Sequence, residues 1–438
     1  MTEQSYQDPI CERYASPEMR GLFSPRRRAL VWRDLWIALA EAQHALGLPV
    51  TAAQVEELRV HRDELNLEEV VRLEKRLRHD VVAHIHHYGQ VAPGARAILH
   101  LGATSSFVTD NGDLILMREA LKIVTARLLR MIHALSVFAR READHATLGL
   151  THLQPAQLTT VGKRACLWIQ DLVTVWEDLD ELQRTLPFRG LKGSTGTQAS
   201  FLQLFGGEAS RVLELEDRVR MSMGFERVFP LTGQTYPRLW DYRISSRLAE
   251  LAISLHKFSS DIRMLQSWGE LEEPYEEHQV GSSAMPYKRN PMRSERMGAL
   301  SKWLLCHAPG VGMMAATQWF ERSLDDSALR RVALPQGFLT ADSLLLIGRN
   351  VAEGLTVHPE VVSRRVAEQL PFIAVEELLM KGVSAGGDRQ DLHERIRQLT
   401  WQAAKELRAR GVNPLVKLLQ ADPELGPLLQ ELPPWEPA

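Results

Sequence analysis

The chain has 438 residues, well beyond one ordinary domain of roughly 100 to 200, which excludes a single short binding module. Hydrophobic residues make up 45% and charged residues 24%, enough for a buried core and unlike a disordered or fibrous chain. A formal net charge of -3 excludes a protein whose main work is coating nucleic acid, because that takes a basic surface.

The first 104 residues read as a helix-rich N-terminal domain. The opening MTEQSYQDPICERYASPEM has no basic start followed by an apolar stretch, and no run approaches the roughly 18 apolar residues of a membrane span. The three cysteines, Cys11, Cys166 and Cys306, are too few and too far apart for a disulfide framework or a CxxC motif. A reducing, cytoplasmic location with no membrane partner is the expectation. Arg13 and Tyr14 are candidates for holding an anion. RHDVVAHIHH at 78–87 raises a metal question, since Asp80, His84 and His87 share a helical face and a His-Asp doublet occurs in metal phosphohydrolases. Further ligands are not evident, and ordinary hydrogen bonding suits these histidines equally.

Residues 105–357 read as a bundle of long helices. Leu114, Met117, Leu121, Val124, Leu128, Met131, Leu135 and Phe138 advance by alternating steps of three and four, the seam of a packed helix. His152 follows in THLQP, where a position just ahead of a long helix gives an imidazole a fixed base. An imidazole suits proton transfer at neutral pH, while a histidine at a helix start is more often simply structural. The next seam runs from Leu158 through Val161, Ala165, Trp168, Leu172, Val175, Leu179 and Leu182 to Leu186, on the order of 45 Å of helix that Pro187 ends. KGSTGTQAS at 192–200 fits neither the Walker pattern nor GxGxxG and reads as a turn. A third seam holds Ile244, Leu248, Leu251, Leu255, Phe258, Ile262 and Leu265.

GSSAMPYKRNP at 281–291 follows an acidic run and mixes small, polar and basic residues with two prolines, so it is no helix core. Gly281, Ser282 and Ser283 offer closely spaced N–H groups and hydroxyls, while Lys288, Arg289 and Asn290 offer cationic and amide donors. That suits a carboxylate or developing negative charge, and a solvated surface loop fits the composition as well. Residues 292–318 and 338–357 are shorter helix candidates, the former disturbed by Pro309. Between them WFERSLDDSALRR brings together Arg322, Ser327, Arg330 and Arg331, either for a phosphate or for pairing with Glu321, Asp325 and Asp326. Residues 358–438 read as a C-terminal helical domain, with Gly386, Gly387 and Asp388 forming the loop and N-cap of a helix.

The segment Gly281 to Asn290 meets the pattern GSSxMPxKxN at every fixed position. In this the chain resembles the fumarase and aspartase superfamily. It resembles the adenylosuccinate lyase family within it, through RYASPEM at 13–19, KRLRHDVVAH at 75–84, LGATSSFVTDN at 101–111, THLQPAQLTTVGKR at 151–164, GQTYPR at 233–238, PYKRNPMRSER at 286–296 and WFERSLDDSALRR at 319–331. The resemblance implies an all-α subunit of three helical domains that forms a homotetramer with active sites shared between subunits, without a cofactor or metal. It implies β-elimination of fumarate from a succinylated purine nucleotide, with Ser282 as general base and His152 as general acid. Arg13, Tyr14, Arg322, Ser327 and Arg331 are implied to hold the nucleotide, chiefly its phosphate, and Arg78, His79 and Asp80 to line the pocket. Thr104, Ser105, Thr151, Gln234, Ser283, Lys288 and Asn290 are implied to face the carboxylates, with Arg296 in support. One departure is that the chain ends at Ala438, after LPPWEPA, where the animal-type enzymes continue with further helices.

Overall fold

In the computed structural model, which describes residues 5–432 and Trp435, helices dominate and the only sheets among those residues are two small antiparallel pairs. The fold is all-α, as the seams predict. The first four residues and most of LPPWEPA lie outside the described residues.

After a π-helical turn at Ile10–Tyr14 come α1 (Pro17–Leu22), α2 (Pro25–Ala45), α3 (Ala52–Val60), α4 (Leu67–Leu77) and α5 (Asp80–Val91). Their starts are written in local chemistry. Ser16, Ser24 and Asn66 each accept a hydrogen bond from the backbone N–H three residues on, and Thr51 with Gln54 forms a reciprocal capping box. The long helices are α6 (Ser106–Arg141), α7 (Val161–Thr185), α10 (Leu239–Ser267), α11 (Met292–Ala316) and α12 (Asp325–Gly354). A hairpin of β1 (Ala146–Thr151) and β2 (Gln154–Thr160) precedes α7, and the short α8 (Ala199–Leu204) and α9 (Ala209–Ser222) lie between α7 and α10. Two-residue strands β3 (Leu271–Glu272) and β4 (Thr356–Val357) pair with each other, and α13 (Pro359–Ser384), α14 (Arg389–Arg410), α15 (Leu415–Ala421) and α16 (Leu425–Gln430) close the chain. Asp388 caps α14 through the N–H groups of Gln390 and Asp391, as its place after two glycines predicts.

Two expectations are corrected. The second seam begins as strand, not helix: Leu158 belongs to β2 and is exposed, and the helix starts at Val161. The expected start at 338 is also too late, because α12 begins at Asp325 and runs through Pro335. A proline removes one N–H and strains one turn, here opposite the carbonyl of Arg331, yet burial along the helix outweighs that cost.

The chain gathers into two compact units. One takes the residues up to Met131, Asp171–Lys257 and Arg296–Arg349; the other takes Ile132–Gln170, Phe258–Glu295 and the chain from Asn350 onward. In the first unit the seam positions are buried, and polar contacts pin neighbouring helices. Thr125 of α6 meets Gln183 of α7 at 3.4 Å, and Arg247 of α10 meets Asp178 of α7 at 3.3 Å. Buried Asp342 of α12 accepts from Arg127 of α6 and, at 2.7 Å, from the backbone N–H of Ser16. Gln336, also on α12, donates to Asp8 at 2.5 Å. In the second unit Trp168 of α7 donates to Asp261 of α10 at 2.7 Å and packs edge-on against Phe258. Leu148 of the hairpin packs with Val362 and Val366 of α13, and a further core joins Leu378, Leu392, Ala403, Leu415 and Leu425.

Candidate active site

A cavity of about 600 Å³ opens in the first unit, within the range of small-molecule sites. Its lining draws eight predicted residues from four separate stretches: Arg78, His79 and Asp80; Ser105; Gln234; and Arg322, Ser327 and Arg331. The corner between α4 and α5 presents the first three. Arg78 takes a left-handed conformation (φ 57°) that ends α4, and His79 caps α5 by accepting from the N–H of Val82. That leaves His79 Nε2 facing Ser105 Oγ at 3.4 Å. Asp80 accepts from Arg331 at 3.0 Å. Gln234 is fixed at three points: its N–H donates to the Glu321 carbonyl, its carbonyl accepts from Arg189 Nε, and its amide donates to Thr104 Oγ1 at 3.2 Å.

Beneath these lies a buried ionic network. Asp326 accepts from Arg322 at 2.7 Å and from Arg238 at 2.6 Å, and Arg238 grips both oxygens of Asp110 at 3.1 Å. Burial pushes the Asp110 carboxyl up, but Arg238, Arg330 and Arg189 outweigh it and hold it below the usual range. Arg330 is wholly engaged, donating to Asp241 at 2.8 Å and to the Tyr236 hydroxyl at 2.6 Å, with Asp113 at 2.9 Å. Arg330 is therefore structural, but through Asp113, Asp241 and Tyr236 and not through the acids of its own segment, where the expected pairing is made by Arg322 with Asp326. Arg322 and Arg331 pair with aspartates too, yet remain partly exposed in the cavity.

Arg13, Tyr14 and Arg296 form a second group that does not line this cavity: the guanidinium of Arg296 lies 5.4 Å from the Tyr14 ring centre and that of Arg13 at 6.0 Å. The metal reading of 78–87 finds no support in the geometry. His87 has both ring nitrogens engaged, with Arg33 at 3.0 Å and the N–H of Asn66 at 3.1 Å. His84 is buried edge-on against Trp32, and among the described residues no group of three His, Cys, Asp or Glu side chains is placed to hold an ion.

The second unit carries the remaining predicted residues. His152 is not ahead of a helix, as expected from sequence; it is the first residue of a two-residue hairpin turn. Thr151 pairs with Gln154, and His152 and Leu153 both have positive φ, 52° and 59°. This left-handed pair matches the strand twist but usually calls for Asn or Gly. The turn is exposed, and the imidazole makes no hydrogen bond or ion pair among the described residues.

Residues 281–291 form a loop tied down at its ends. Asn290 donates to the Gly281 carbonyl at 2.8 Å, and Gln266 to the Arg289 carbonyl at 3.0 Å. Buried Glu273 accepts from the N–H groups of Arg293 and Ser294, which ends the loop by capping α11. A Cβ on Gly281 would lie 2.2 Å from the Lys288 carbonyl oxygen, so only glycine fits. Ser282 Oγ accepts from the Met285 N–H at 3.2 Å, while Ser283 and Lys288 face solvent.

Sequence reasoning passed over Arg28, Trp32, Arg189 and Arg238. Arg189 is fully buried and has no carboxylate in ion-pair contact among the described residues, its guanidinium donating to the carbonyls of Gln234, Gly190, Lys192 and Gly193, and burial lowers its pKa to about 10. The arginine in RGLKG beside Pro187 was a signal, but its partners are carbonyls, which no side-chain pattern announces.

A family profile described as Lyase matches residues 14–302, and one described as Adenylosuccinate lyase C-terminus matches residues 371–433. The chain is 46% identical to the adenylosuccinate lyase of Saccharomyces cerevisiae over 98% of its own length and 90% of the relative's. It is 44% identical to that of Schistosoma mansoni, again over 98% and 90%. It is 33% identical to that of Pyrococcus abyssi, over 91% and 87%. Among solved structures it superposes on a fumarate lyase from Mesorhizobium sp. BNC1 with a TM-score of 0.81 at 22% identity, covering 98% of this chain and 95% of that one. It also superposes on a 3-carboxy-cis,cis-muconate lactonizing enzyme from Pseudomonas putida with a TM-score of 0.82 at 24% identity, covering 97% and 92%. Those two structures speak for the fold alone.

Proposed function

Because the chain belongs to the adenylosuccinate lyase family of the fumarase and aspartase superfamily, we propose that it cleaves adenylosuccinate to AMP and fumarate, and the succinylated aminoimidazole carboxamide ribotide in the same way. Both are steps of purine nucleotide biosynthesis.

The substrate's C–H bond lies beside a succinyl carboxylate. Ser282 takes that proton, the electron pair delocalises into the carboxylate, and expulsion of the purine nitrogen forms the double bond of fumarate. His152 delivers a proton to the departing nitrogen. Each acid or base of this kind contributes roughly 10² to 10⁴ in rate. A serine is a weak base in water. The Met285 N–H that already donates to Ser282 Oγ favours its ionised form, and Lys288 and Asn290 supply charge stabilisation once water is excluded. The unpartnered, exposed imidazole of His152 suits a group that must meet a substrate atom. Ser283, Thr151, Thr104, Ser105 and Gln234 hold the carboxylates, Arg322, Ser327 and Arg331 the phosphate with Arg13 and Tyr14, and Arg296 supports them. No cofactor is called for in this chemistry.

The observation that carries the reading is the cavity: residues from four distant stretches, each inside a motif of the family, meet around one arginine-rich space of nucleotide size. In the three-domain subunit (1–104, 105–357 and 358–438) the central helices assemble a cytoplasmic homotetramer with active sites shared between subunits. Support for such assembly comes from a second hollow of about 670 Å³, walled by exposed Leu153, Leu158 and Leu167 together with Met264 and Trp268. No helix among the described residues is long and apolar enough to cross a membrane.

The test is fumarate release from adenylosuccinate, followed by absorbance. Ser282→Ala and His152→Ala should each retain the fold and lose at least about 10²-fold in kcat. No release by the parent chain would defeat the function, and full activity in both variants would remove these two roles.

A further inference from the structure

The carboxylates of the cavity do not serve all of its arginines. Arg238 and Arg322 share Asp326, Arg330 has Asp113 and Arg331 has Asp80. Arg28 and Arg78 line the same cavity and make no ion pair among the described residues. Arg78 already belongs to the substrate site above, whereas Arg28 has no role there.

Arg28 projects from the first turn of α2 and is half-buried. Its guanidinium lies 5.6 Å from the ring centre of Trp32, one turn on, which also lines the cavity. Trp32 is itself buried and lies edge-on to His84 at 4.9 Å, which holds the ring beside Arg28 in place. At that distance the ring leaves the guanidinium's N–H donors uncovered, and none of them donates to another group among the described residues. An oxyanion arriving at Arg322 or Arg331 must share the cation with a fixed aspartate. At Arg28 it meets none, and the planar fork matches both phosphate and carboxylate.

We propose that Arg28 is a further binding residue of this site, donating hydrogen bonds to an oxyanion of the substrate, its phosphate or a succinyl carboxylate. The proposal rests on the lyase reading for its substrate. The two sources are separable, because AMP carries only the phosphate and fumarate only the carboxylates.

Titration calorimetry of the full chain, of Arg28→Met and of Arg28→Lys with AMP and with fumarate tests it. Arg28→Met should raise the Kd of one of the two by about tenfold or more, the scale of one charge-assisted hydrogen bond, and leave the other within about twofold. Arg28→Lys, which keeps the charge and loses the fork, should fall between the parent and Arg28→Met for that same ligand. Both Kd values unchanged in Arg28→Met would overturn the proposal. So would an equal rise in both together with a lowered melting temperature, which would assign Arg28 to packing on Trp32. Adenylosuccinate cleavage by the parent chain is measured separately, so failure of the lyase reading is not mistaken for failure of Arg28.

Discussion

Burial depresses the imidazole of His84 from 6.5 to about 4, aided by the charges of Arg28 and Arg33, and burial does the same for His100. His100 also accepts a hydrogen bond at Nδ1 from Trp36 Nε1 at 2.9 Å, which a proton there would replace with two opposed donors. The unfolded chain binds these protons near 6.5 and the folded chain does not. The stability is therefore whole above that pH and is lost as pH falls towards 4, by roughly 1.4 kcal/mol per pH unit for each group. Urea unfolding at pH 7 and pH 5 should show the loss, and His84→Gln should reduce it; an undiminished loss in His84→Gln would assign the effect to other groups. The ionic network sets a second expectation at this scale. Arg238→Met leaves Asp110 and half of Asp326 buried without their cation, and should destabilise by about 3 to 5 kcal/mol in urea unfolding. Arg28 and Arg331 are far less buried, so their variants should cost little stability.

Among the elements, the signature loop and the hairpin turn make opposite demands on the chain. Gly281→Ala drives a methyl into the Lys288 carbonyl and should abolish most turnover while global stability falls only slightly; wild-type kcat would show that the loop relaxes freely. Leu153→Gly should relieve the left-handed strain at the turn and leave the melting temperature equal or higher, and a clear drop would mean that Leu153 is packed in the assembled protein. These elements also show how much the sequence disclosed. The seams of α6, α7 and α10 were readable because every third or fourth side chain is buried, a constraint that leaves a period behind. The hairpin was not, since its strands are short, half exposed and border a helix seam that Leu158 extends by accident. Helix α12 begins earlier than the sequence reading placed it: Pro335 is locally a breaker, while the burial that overrides it comes from distant residues. Of the cavity's lining, Arg78, His79, Asp80, Ser105, Gln234, Arg322, Ser327 and Arg331 were named through motifs; Arg28 in the lining and Arg189 behind Gln234 were not, because their partners are a ring and backbone carbonyls.

For the whole molecule, the proposed homotetramer makes a prediction that no single chain can meet. Subunits of Ser282→Ala and His152→Ala, each inactive, should regain fumarate release after mixing and reassembly if sites are shared, and light scattering of the parent should give four times the chain mass. A mixture as inactive as its parents would confine each site to one subunit. Helix α12 bears on how such a protein can change over time. Arg331 faces the cavity and Asp342, three turns later, fastens Ser16 just after Arg13 and Tyr14, with Gln336 holding Asp8 between them. One inserted residue between Arg331 and Asp342 would rotate everything beyond it by about 100° and shift it by about 1.5 Å. Descendants of this chain are therefore free to vary the outward face of α12 but not to lengthen or shorten that stretch, so its residue count should outlast its spelling.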